Sequence, residues 1–156
     1  MSNPLLDAAA LDKRYLQSPV DDLLSFYYVT QWAAANNNRD FPDSAMVSDE
    51  LKLLRKRLAS SSSDRELATS TMTKRPLDPE LYGTFAAECQ PILQEWDNHL
   101  MILMGDWERK LKTIDPDVAD QYAVYYPLFR ESTDRGVFEL LRLVQARFGE
   151  SLKGVS

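Results

Sequence analysis

Along most of the chain, large apolar residues recur three and four positions apart, the spacing that gathers side chains on one face of an α-helix. Val20, Leu24, Tyr27 and Gln31 form one such row, widened by Leu23, Tyr28 and Trp32. Val47, Leu51, Leu54 and Leu58 form a second, and Val118, Tyr122, Tyr125 and Phe129 a third. Val137, Leu141, Val144 and Phe148 form a fourth, which Gly149 is placed to end. Helix starts are marked as clearly. Asn3-Pro4, Ser18-Pro19, Asp78-Pro79 and Asp115-Pro116 each set a capping side chain before a proline in the first helical position, where the missing N–H costs nothing. Such punctuation argues against a β-rich fold.

The longest pattern runs from Leu81 to Ile114. Leu81, Phe85, Cys89, Ile92, Trp96, Leu100, Leu103, Trp107, Leu111 and Ile114 are separated by steps of 4, 4 and 3 residues, repeated to the end. Eleven residues in three turns is about 3.67 residues per turn, so the ridge stays almost straight along a helix. Two independent helices have no reason to keep phase across a break. The pattern therefore predicts one helix over about 79–113, about 50 Å long at about 1.5 Å per residue, bent rather than broken at Pro91.

Two connections separate these elements. Residues 36–44, NNNRDFPDS, carry turn formers and a proline. Residues 59–77 are rich in Ser and Thr and read as a partly structured linker, with a capping box at Ser63 and Glu66 where a short helix begins. The predicted architecture is an all-α bundle of five to seven helices in one domain over 1–156. Its N-terminal helical half spans 4–58 and its C-terminal half 78–149, built around the long helix.

Composition narrows the chemistry. At 156 residues, with 44% hydrophobic and 27% charged residues, the chain is long and apolar enough to bury a core. Its net charge of −6 repels phosphate backbones, so nucleic acid is a disfavoured partner for the surface as a whole. The apolar run at Leu100–Met104 is far short of the ~20 residues a membrane span needs. The start of the chain lacks a basic stretch followed by an apolar one. A soluble intracellular protein is the expectation, cytoplasmic by default with the nucleus left open.

His99, the sole histidine, lies ten residues from Cys89, the sole cysteine; on a helix that separation is about 15 Å, too far to share a metal or form a nucleophile–base pair. Carboxylate pairs such as Asp21-Asp22 and Asp49-Glu50 sit at helix starts, where the helix dipole explains them. No glycine falls in a phosphate-binding pattern. No cofactor is expected.

The leading expectation is a non-enzymatic protein-interaction module, an assembly subunit, adaptor or helical scaffold, binding a protein partner or a second copy. Its candidate contacts are Phe85 and Trp107, as anchors at a protruding end of the long helix, Trp96 on the same ridge, and the short basic face of Lys52, Arg55, Lys56 and Arg57. The alternatives are a regulatory nucleic-acid-associated protein using that basic face, and a helical enzyme whose Tyr-rich helices line a substrate cavity.

Overall fold

A computed structural model of the chain describes residues 18–37, 39–41, 43, 46–113 and 121–152, without side-chain detail at 121, 122, 147, 148 and 150–152. Among these residues there are six helices and no strand. They are α1 (Val20–Ala35), α2 (Asp49–Leu58), α3 (Ser62–Lys74), α4 (Pro79–Tyr82), α5 (Thr84–Leu111) and α6 (Gln121–Leu152). The all-α class read from periodicity is the observed one. Asn3-Pro4, Asp115-Pro116, Val118 and Ile114 lie outside the described residues, as do the side chains of Tyr122 and Phe148.

The caps form where the sequence places them. Ser18 Oγ accepts the Val20 N–H at 3.1 Å while Asp21 Oδ2 accepts the Ser18 N–H at 2.7 Å, a reciprocal box that closes the start of α1. Ser48 caps α2 through the Leu51 N–H, and Asp78 caps α4 through the Glu80 N–H. The stripe Val47, Leu51, Leu54 and Leu58 is buried throughout.

Helix α5 is the centre of the molecule, with α1, α3, α4 and α6 all packed on it. It passes uninterrupted through Pro91, as the conserved phase of the ridge implies. Pro91 lies on the exposed side, where solvent meets the Ala87 carbonyl that loses its N–H partner. The break falls elsewhere. Gly83, at φ +87°, separates α4 from α5, so the helix expected from Pro79 begins at Thr84 and Leu81 stands off the ridge, exposed. The local reason is a cap supplied from a distance: Asp40 Oδ2 accepts the Phe85 N–H at 3.0 Å. A Cβ on Gly83 would stand 2.9 Å from that same oxygen.

The segment expected to be a linker is a helix. Residues Ser62–Lys74 form α3, and Ala68 and Met72 are completely buried in the core. Its cap is Ser61, which accepts the Asp64 N–H, rather than Ser63. What docks α3 is a polar side chain. Gln90 is buried on α5: its Nε2 donates to the Met72 carbonyl at 2.9 Å and the Arg75 carbonyl at 2.5 Å, and its Oε1 accepts the Leu77 N–H at 3.0 Å. One turn on, Gln94 Nε2 donates to the Thr73 carbonyl at 2.7 Å. The carbonyls left over at the end of α3 are thus satisfied by another helix. This also moves the buried face of α5: upstream of Trp96 its centre is Ala86, Gln90 and Leu93, one residue along from Phe85, Cys89 and Ile92, which are half-buried.

Helix α6 merges the two elements expected at 118–129 and 137–148, and it continues past Gly149. The polar stretch at 131–136 between those two elements lies inside the helix, and its groups are used there. Ser132 is buried, and Thr133 Oγ1 donates back to the Phe129 carbonyl at 3.0 Å. Gly136 lies where α6 meets α1 and α5; a Cβ there would fall 2.4 Å from Leu23 Cδ1 and 2.7 Å from Leu103 Cδ2. The inward row is consequently Ser132, Gly136, Leu140 and Leu143. Val137 and Leu141, expected inward, face out beside Phe138, which is 69% exposed. Outside the apolar contact, Asp106 on α5 accepts from Arg135 of α6 at 2.6 Å and from Arg109 of its own helix, and the two guanidiniums hold its carboxyl below the usual range.

Two stability predictions follow from these contacts. Gly136→Ala overpacks two buried leucines and is expected to cost about 1–3 kcal/mol in urea denaturation, whereas Gly105→Ala, with open space around it, gains roughly 0.5–1 kcal/mol. Gln90→Ala strips partners from two carbonyls and one amide, so a loss of about 2–4 kcal/mol is expected, with hydrogen exchange accelerated most in the last turn of α3.

Candidate functional site

The anchors expected on the long helix are built into the core. Trp96 packs edge-on against Tyr27 of α1 at 5.3 Å between ring centres. Trp107 is 3% exposed and is flanked by Tyr125 and Phe129 of α6 at 5.5 and 6.1 Å. Phe85 is half-buried against the same core. The Trp107 end of α5 is not bare, because Tyr125 and Phe129 of α6 cover it.

The expected basic face is divided. Arg55 Nε donates to the Ala35 carbonyl at 2.7 Å, satisfying the C-terminus of α1. Lys52 pairs with Asp49 at 3.1 Å. Lys56 is exposed, and Arg57 turns toward the end of α3, where it lines a groove with Lys74 and Arg75. His99 lines a separate groove, between α5 and α6, beside Glu139 and Arg142. Burial pushes the thiol of half-buried Cys89 up, which makes it a poor nucleophile. Among the described residues no group of three His, Cys, Asp or Glu side chains is placed to hold a metal ion, and no helix is long and apolar enough to cross a membrane.

The surface with the most converging features is a groove between α1, α3 and α5, about 570 Å³ in volume. Its apolar walls come from Leu24, Tyr27 and Tyr28 on α1 and from Met101 and Met104 on α5. The polar part is contributed by Thr69, Thr73, Glu66 and Lys74 of α3 and by Asp97 of α5. Each group has a structural reason to be there. The Tyr27 ring packs in the core, and its hydroxyl donates to the Leu93 carbonyl at 3.2 Å with the Asp97 carboxyl as a second neighbour. Burial, together with the nearby Asp97 charge, pushes the Tyr27 phenol far above its ordinary value. Tyr28 is pushed up to about 12, chiefly by burial, and the Arg65 guanidinium stands 5.7 Å from its ring centre. Thr69 Oγ1 donates to buried Gln31 at 3.1 Å and ties α3 to α1 behind the groove.

Asp97 is the chemically unusual member. Half-buried among these rings, its carboxyl is raised above the ordinary range by desolvation, an effect that the Tyr27 hydroxyl and the Lys74 charge oppose in part. The chain matches no known protein family, no curated protein and no solved structure. The groove is therefore read from its own geometry.

Sequence reasoning names Tyr27, Tyr28 and Met104 without assembling them. The assembly needs α3 to be a helix docked on α5, and the polar Gln90 that docks it carries no apolar signal.

The raised Asp97 carboxyl fixes the sign of a pH effect. Its folded form holds the proton to higher pH than the unfolded chain does, so its charging subtracts stability as pH climbs from the unfolded value through the folded one. Asp97→Asn removes that term. In denaturant titrations at a series of acidic pH values, the stability of the variant relative to the parent chain is expected to improve steadily as pH increases across the carboxylate range.

Proposed function

We propose that the chain is a protein-interaction module, an assembly subunit or adaptor, that receives the apolar side of an amphipathic helix in the groove between α1, α3 and α5. The supporting observation is the make-up of that groove. Three helices make a trough, its walls are mainly apolar, and its most exposed apolar wall residue, Met101, is 58% accessible. Methionines adapt to varied side chains and tyrosines offer rigid area with a polar tip, the mixture that suits a helix-in-groove contact. Glu66 and Asp97 lie along its edge, and the whole chain carries −6, so a partner helix flanked by Lys or Arg fits best.

Further exposed apolar residues support the adaptor reading. Val137, Phe138 and Leu141 on α6 and Phe26, Val29 and Trp32 on α1 are all exposed in short helical rows. Exposed apolar residues grouped in helical rows mark interaction sites more often than isolated ones do.

A catalytic reading of the same groove draws on one observation, the raised Asp97 carboxyl beside Tyr27 and Lys74. The apolar excess of the walls favours the binding reading. Asp97→Asn separates the two, since it abolishes a proton-transfer activity while leaving most of an apolar contact intact.

The test is affinity capture from the native source, followed by binding measurements with the captured partner's helical segments. Met101→Glu is expected to weaken binding roughly 30-fold or more, as loss of a central contact does. Met46→Glu, at an exposed methionine outside the groove, leaves binding unchanged. A chain that is monomeric in light scattering and captures nothing, or that captures the same partners with both variants, refutes the reading.

A further inference from the structure

We propose that a second groove, bounded by Arg57, Lys74 and Arg75, binds a phosphorylated ligand. It has a volume of about 470 Å³ and lies where the ends of α2 and α3 meet the segment leading into α4. Arg57 enters it from the last turn of α2, Lys74 and Arg75 from the end of α3. No Asp or Glu lines it. Among the described residues, none of the three cations has a carboxylate within ion-pair distance.

Three unpaired cations around one concavity repel one another, and an anion with several oxygens relieves that repulsion. Two of the usual alternative uses for these charges, helix capping and ion pairing, are not the ones observed here. Lysine and arginine at a helix C-terminus ordinarily turn back to the last carbonyls. Here Gln90 and Gln94 hold the carbonyls of Met72, Thr73 and Arg75, so Lys74 and Arg75 have no such task. Asp64, the carboxylate within electrostatic reach of Arg57, makes its hydrogen bonds with Ser60 and Ser61 and forms no ion pair with Arg57. Lys74 forms the ridge shared with the first groove, where it lies within electrostatic reach of Asp97 without forming an ion pair with it.

The remaining lining suits phosphate better than a lone carboxylate. Ser70 adds a hydroxyl with no partner among the described residues, and Thr71, whose proton goes to the Leu67 carbonyl at 2.9 Å, lies next to it. Arginine forks match the spacing of phosphate oxygens, and two are present. The Tyr82 ring and Pro76 give one apolar wall that accommodates an organic portion. The shared chemistry is a multiply charged phosphate group, either as an inorganic polyphosphate or as part of a small organic phosphate.

Isothermal titration of the full chain at low salt, with inorganic pyrophosphate and adenosine diphosphate as separate probes and no divalent metal, tests this. Saturable binding that weakens as salt rises is expected, with amide resonances near Ser70 and Thr71 shifting. Arg57→Gln/Arg75→Gln is expected to raise Kd at least about tenfold with unfolding unchanged, while Lys52→Gln/Lys56→Gln has no effect. Tighter diphosphate nucleoside binding identifies an organic phosphate as the source, and equal binding identifies the inorganic form. The proposal fails if neither probe binds at millimolar concentration, if the Arg57/Arg75 variant binds like the parent, or if an oligonucleotide binds where both probes do not.

Discussion

The carboxamide of Gln90 is the constraint on which the arrangement of helices rests. A buried amide without partners destabilises a fold, and a helix end pressed against an apolar neighbour leaves several carbonyls in the same position. Here each deficit cancels the other: Gln90 and Gln94 meet the carbonyls of Met72, Thr73 and Arg75, and the Leu77 N–H closes the set. Apolar contact alone would let α3 slide along α5. Directional bonds do not, and so they fix the width of both grooves that flank α3.

The two grooves differ in electrical character although they share a wall. The one facing α1 is apolar with carboxylates at its edge, and the one facing α2 gathers unpaired cations in a chain that is acidic as a whole. Lys74 borders both. The separation arises because Arg55 and Lys52 are occupied at Ala35 and Asp49, so the positive charge of the sequence segment 52–57 reaches the surface in a smaller and more focused form.

What the sequence makes legible is whatever apolar spacing and capping control. The α2 stripe, the caps at Ser18 and Asp78, and the passage of α5 through Pro91 could all be read, because each depends on neighbours within a few residues. Three features could not. Gln90 points inward because α3 needs a donor, which no local pattern records. Ser132 and Gly136 point inward because smallness, rather than apolarity, decides a close helix crossing, and Val137 and Leu141 are displaced outward as a result. Asp40 caps α5 from a loop more than forty residues upstream, so the break at Gly83 looks in the sequence like an ordinary helical turn. The candidate grooves depend on these long-range choices, which is why their residues are recognisable singly but not as sites.

The missing side chain at Gly136 also acts as a register key. Helix surfaces repeat every turn, so two long rods can in general slip past each other by about 5.4 Å and repack. Shifting α6 by one turn in either direction would bring Ser132 or Leu140 to the place between Leu23 and Leu103 where even a methyl collides. A rod pair with interchangeable notches would be free to ratchet; the notch at Gly136 favours one position of α6.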